Sequence, residues 1–208
     1  MEHIHLWQVV GLIVLGAYLV YAQSQRTSKG GTRAPAGAKQ AAAKAQQTPE
    51  EAYLDLRRQA IETDPKRLAL AGELQVEEPF GLLMEMGTSN SVVTLACFAD
   101  GDARVLYKTG GGMIGGISHE SVRNAAKELI ALAGKALPRL TKTTSYPLPG
   151  EDRIRFYVLT RGGVLTIETS RQALGDRRGG ELSSMFQSGQ EVVAQMRQVG
   201  DQKSQDAT

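Results

Sequence analysis

The segment TGGGMIGGISHE, residues 109–120, holds the residues of this chain best suited to chemistry. Gly110, Gly112 and Gly115 satisfy G-x-G-x-x-G, the spacing at which backbone N–H groups near a helix start can cradle a phosphate. Gly111 and Gly116 add two more glycines. Ser118 is a candidate N-cap for a following helix. His119 stands next to it, and Arg123 lies one turn further on. Together these eight residues make a candidate ligand site. Amides and Arg123 would meet an anion, and His119 would act as a general base if Glu85, Asp100 or Glu120 lay beside it in the fold. A dinucleotide loop, however, needs a parallel β-α-β unit and an acidic residue about 20 positions on. No acidic residue lies from Ala131 to Gly150, and no G-x-x-x-x-G-K-[ST] occurs. The competing reading is a structural crossover, in which glycine permits positive φ and close backbone approach. Met113 and Ile114 are then either a plug in the core or an exposed pair, and an exposed pair makes an interaction patch.

Other reactive types are sparse. Arg153 and Arg155 share one strand face, because side chains alternate along a strand. Arg161 lies close by in sequence. Without aromatics at RNA-platform spacing, this stripe suits solvent or a protein partner better than nucleic acid. The formal net charge is only +2, so the chain as a whole is not a polycation for nucleic acid. His3 and His5 have no third ligand in view. A single cysteine, Cys97, excludes an internal disulfide and a structural zinc site of four cysteines or of two cysteines and two histidines. It reads as a small buried hydrophobe. No nucleophile elbow, zincin helix or kinase set is present, so no catalytic residue, metal or cofactor is expected.

The elements that must position these residues follow from capping and periodicity. Thr48-Pro49-Glu50-Glu51 is a capping box with proline at the first helical position. Ala52, Tyr53, Leu56 and Ala60 mark one face of that helix. Asp64-Pro65 ends it and caps a shorter one through Leu68, Ala71 and Leu74. Residues 80–87, 91–99 and 103–108 predict three strands joined by tight turns, an antiparallel meander whose second strand is apolar enough to be covered on both faces. Val122, Ala125, Ala126, Leu129, Ile130, Ala133 and Leu137 carry a helical stripe that Pro138 closes. Residues 153–160 and 163–170 predict a hairpin through Arg161-Gly162. Leu182, Met185, Phe186, Val192, Val193, Met196 and Val199 mark a last helix over about 181–199. Residues 140–150 and 173–180 read as loops. The expected class is α+β: a five-stranded antiparallel sheet with helices packed on one or both faces, spanning 48–199, and a frayed tail over 200–208.

Ahead of this domain, residues 4–22 contain no Asp, Glu, Lys or Arg. As a helix they span about 28 Å, close to the hydrocarbon thickness of a bilayer. Trp7, Tyr18 and Tyr21 sit where interfacial rings belong. A cleaved signal peptide would want basic residues before the apolar run, and MEHIH has none. The basic residues Arg26, Lys29, Arg33, Lys39 and Lys44 all follow it, with no acidic residue between Ala22 and Glu50. The charge rule therefore places the N-terminus outside and the domain in the cytoplasm. Residues 23–47 lack large apolar side chains and read as a flexible basic tether able to rest on anionic lipid.

The order helix, three strands, helix, two strands, helix resembles the roadblock, longin and profilin group of small modules, by topology alone. GGGMIGG with His119 and Arg123, and the run from Tyr146 into RFYVLT, resemble a family of uncharacterised bacterial membrane-anchored proteins over residues 79–199. That resemblance implies a bacterial inner-membrane protein and supplies no activity. The expected function is a single-pass, membrane-tethered interaction module that binds a protein partner or a second copy of itself. Met113, Ile114, Arg153 and Arg155 are its candidate contacts. The alternative is an anion- or nucleotide-binding domain built on the glycine loop and His119.

Overall fold

The computed structural model describes residues 47–68, 70, 74–175 and 180–206, with side chains as far as residue 201. The anchor expected over 4–22 lies outside the described residues, as does the tether apart from Gln47. Among the described residues no helix is long and apolar enough to cross a membrane. The chain divides into two compact units, Met1–Pro49 and Glu50–Thr208. The second unit, led by the helix that Pro49 opens, holds the described strands and helices.

In chain order the elements are α1 (Pro49–Ile61), β1 (Pro79–Gly87), β2 (Val92–Phe98), β3 (Ala103–Tyr107), β4 (Gly112–Met113), α2 (Glu120–Ala136), β5 (Thr141–Thr143), β6 (Arg153–Thr160), β7 (Gly163–Ser170), α3 (Arg171–Gly175) and α4 (Glu181–Asp206). The strands form one antiparallel sheet in the order β4-β3-β2-β1-β6-β7-β5. The class is α+β as expected, but the sheet has seven strands, not five. The two additions are minimal. β4 pairs Gly112 with Leu106 and Met113 with Val105, and β5 lays Thr141–Thr143 along β7. Strands of two and three residues carry no alternation, so only their neighbours reveal them. A helical turn, α3, also occupies part of a segment expected to be loop, and α4 runs past Val199 to Asp206.

Strand β1 is the middle of the sheet, and all nine of its residues are buried. β2 beside it is covered on both faces, which accounts for its continuous apolar run. Alternation divides the strands between two layers. Leu82, Met84, Leu95, Ile154, Phe156 and Val158 face α2 and α4, whose Val122, Ala126, Leu129, Met185 and Val192 complete the larger core. Phe80, Leu83, Ala96, Phe98, Tyr157 and Leu159 form the opposite core, where α1 supplies Ala60 and Ile61. Fully burying one such Leu, Met or Phe stabilises by about 1.5–3 kcal/mol, so the α2/α4 layer carries most of the apolar stabilisation. Cys97 belongs to that layer and is fully buried. Burial, with the charge of Asp102, pushes its thiol far above the usual range, so it is an inert hydrophobe.

Candidate functional site

The five glycines of the crossover each have a steric reason. Gly110 and Gly111 have positive φ in the turn between β3 and β4, where Gly110 N–H donates to Tyr107 O and Tyr107 N–H to Gly111 O. A Cβ on Gly112 would fall on the Val105 carbonyl oxygen. Gly115 is left-handed (φ 95°) and begins a 3₁₀ turn, Gly116–Ser118. A Cβ on Gly116 would lie 2.7 Å from Val122 Cγ1 of α2. The loop is thus shaped to fold the chain off β3 and bring it flat against α2.

Several of the groups an anion would need are already engaged. Ser118 N–H donates to Gly115 O and His119 N–H to Gly116 O. Ser118 is not the N-cap expected of it; it ends the 3₁₀ turn, and His119 takes the N-cap position of α2 with no side-chain cap bond. The intervening 3₁₀ turn moves the helix start by one residue. Arg123 Nη1 donates to Ile117 O at 2.8 Å, and its methylenes line the place a Cβ on Gly101 would occupy. His119 Nε2 is enclosed and makes no hydrogen bond. None of the acids considered for it is its hydrogen-bond partner. Glu85 lies on the opposite sheet face, paired with Arg57, and Asp100 accepts from Asp102 N–H. Met113 and Ile114 split: Met113 packs against the larger core, whereas Ile114 is 64% exposed and Ile117 is 40% exposed.

The arginines of the stripe are engaged within the chain, two of them sharing one carboxylate. Arg153 Nε and Arg155 Nη2 both donate to Glu168 across the β6–β7 pair, at 3.0 and 2.6 Å. Arg161 Nη1 donates to Leu74 O. The shared face of Arg153 and Arg155 holds as expected, but it meets a carboxylate of the same chain.

Comparison with known protein families, with characterised proteins and with solved structures finds no match to this chain. Neither resemblance drawn from the sequence gains support from it.

The densest cluster of polar chemistry lies elsewhere, between α1 and the sheet. Glu85 is 0% exposed and Arg57 7%, and Arg57 Nε and Nη2 grip Glu85 Oε1 and Oε2 at 2.5 and 2.9 Å. Thr94, directly across from Glu85, donates to Oε1 at 3.2 Å and shares a 2.8 Å hydrogen bond with the Tyr53 hydroxyl. On its other side Glu85 faces Arg155, which in turn faces Glu168. One polar ladder, Thr94–Glu85–Arg155–Glu168, therefore runs across four strands, and α1 meets it at Thr94 and Glu85. Tyr157 stands beside it with the Arg57 and Arg155 guanidinium carbons 5.6 and 6.0 Å from its ring centre. Its hydroxyl donates to Pro147 O at 2.6 Å.

The electrostatics follow from enclosure. Burial pushes the Glu85 carboxyl up from its usual range, and Arg57, the Thr94 hydroxyl and the charge of Arg155 pull it part of the way back. Burial works against the Arg57 charge, but the Glu85 hydrogen bonds and charge outweigh it, and Arg57 stays protonated. Burial and the nearby Glu85 push the Tyr53 hydroxyl up to about 12. Closed under α1, the ion pair reaches no solute; its work is to fix where α1 sits. Sequence reasoning missed it. The available signals were one carboxylate inside the apolar run FGLLMEMG and an arginine four residues after Tyr53, on the buried face of its helix.

Proposed function

We propose that the chain is a membrane-tethered, cytoplasmic interaction module that associates with a second copy of itself through the crossover edge beside β4. Residues 4–22 serve as the anchor and residues 23–47 as the tether, because basic residues follow the apolar run and none precedes it. The observation that supports association is the pair Ile114 and Ile117, exposed on a loop whose glycines hold it against β3 and α2. Contiguous exposed apolar surface marks contact sites, and these two isoleucines stand three residues apart on one loop. A second copy suits this edge because Thr109–Ser118 contains no charged residue, so two copies can meet across a two-fold axis without opposing like charges.

The test is sedimentation of the full chain in detergent, with Ile114→Lys and Ile117→Lys combined. The unaltered chain should self-associate, and the double variant should do so about 30-fold more weakly, the loss of a central hot spot of ~2 kcal/mol. Equal association of the two would remove the crossover edge from the reading. The placement has its own check. Protease added outside intact cells should leave the domain uncut and cut it only after the membrane is opened. Cleavage in intact cells would instead put the domain outside.

A further inference from the structure

The two faces of the sheet are held by different chemistry. On one, α2 and α4 interlock with β1, β2 and β6 through side chains that are almost all apolar. On the other, α1 buries only Tyr53, Ala60 and Ile61 besides Arg57. Its specific contacts are polar: Tyr53 to Thr94, the Arg57 fork on Glu85, and an ion pair between Glu50 and Lys108 at 3.1 Å. Polar groups regain hydrogen bonds to water on separation, and a buried ion pair roughly offsets its own desolvation. Such a pair fixes position more than it adds tightness. Topology adds a second reason. α1 is not threaded between strands, and 17 residues, 62–78, separate it from β1. It can therefore lift without breaking any strand pairing.

We propose that α1 is a releasable cover. It undocks as a unit while the sheet, α2 and α4 stay folded, and in doing so uncovers the Glu85 carboxylate and the apolar floor of Leu83, Ala96, Phe98 and Tyr157. The exposed surface then combines a carboxylate, an aromatic ring and an apolar strip. The docked cover keeps that combination closed. Segments with few buried apolar contacts open below the free energy of global unfolding, which gives the device its physical basis.

Native-state hydrogen exchange on the full chain in detergent decides it. Amides of α1 from Tyr53 to Ile61 should exchange through one shared opening with little dependence on denaturant. Their protection should be at least ~100-fold below that of β1 and β6 amides. A second readout uses the molecule's own clock. Cys97 lies in the α2/α4 layer and reacts with a thiol reagent only when that layer opens. The thiol introduced by Ala60→Cys, at a fully buried position of α1, should react at least ~100-fold faster in the same molecule. If α1 amides merge with the β1 and β6 amides at every denaturant concentration, α1 belongs to one cooperative unit and the proposal fails, whatever the labelling gives. Equal labelling of the two thiols would overturn it independently.

Discussion

Arg57→Ala should lower the free energy of unfolding by about 3–5 kcal/mol, the loss expected when one partner of a buried ion pair goes and the other stays behind. Glu85 cannot follow its partner out. It sits in the central strand with no exposed surface, between Met84 and Met86. Thr94 would supply one hydrogen bond to a carboxylate that had three. The pH dependence has a definite sign. Burial already holds the Glu85 carboxyl above its usual range, and without Arg57 it rises further. A carboxyl whose folded pKa exceeds its unfolded one stabilises the fold below the unfolded value, and that contribution is lost as pH rises through the folded value. The deficit of Arg57→Ala should therefore shrink as pH is lowered from about 8 toward 5. Urea unfolding across that range measures it. Replacing both partners, Arg57→Met with Glu85→Leu, should recover most of the loss, because a buried pair exchanged for apolar volume is often neutral or stabilising. A single-variant loss below about 1 kcal/mol would show that water reaches Glu85, as it would if α1 had lifted away.

Gly87→Ala should be the most damaging single methyl in the domain. At the end of β1 the backbone of Pro149 and Gly150 crosses so close that a Cβ on Gly87 would fall on the Gly150 carbonyl oxygen, 2.7 Å from its carbon and 3.2 Å from Pro149 O. The clashing atoms are all backbone, so no flexible side chain can move aside. The loop from Ser145 to Gly150 would have to lift. The hydrogen bond from Tyr157 to Pro147 O and the edge-on contact of Tyr146 with Tyr157 would go with it. An overpacking cost of about 3 kcal/mol or more follows, a fall in Tm on the order of 10 °C for a domain of this size. Gly134→Ala is the matched control. It lies inside α2 with only Pro79 near, at 3.9 Å, so alanine should raise stability by about 0.5–1 kcal/mol through helix propensity. Thermal melting of the two variants side by side checks both signs. Similar melting of Gly87→Ala and the unaltered chain would mean the loop is not held against β1.

What was legible in the sequence was what local periodicity encodes. The apolar runs at 80–87 and 91–99, the stripe from Val122 to Ala133 and the hairpin over 153–170 all lie where alternation and helical spacing placed them. β4 and β5 were not legible, because Gly112 and the exposed Thr141 and Lys142 become strand only by meeting β3 and β7. The candidate site suffered the same limit. Alternation put Arg153 and Arg155 on one face, but only the register of β6 against β7 shows that Glu168 is there to meet them. The tightest polar contact, Arg57 with Glu85, joins residues 28 positions apart on a helix and a strand, so no motif spacing could mark it.

The brevity of the outermost strands has a consequence for how copies can accumulate. A free strand edge is a template: a neighbour that adds to it presents a new edge, and growth continues into fibres. Here the sheet ends in β4, two residues long, and β5, three residues long and bearing Lys142. Each offers little backbone of its own, and the edge left beside β5 is the short end of β7 from Ile167 to Ser170. Given the self-association proposed above, crowding the domain on a surface should therefore favour closed pairs held by side chains over open-ended polymers.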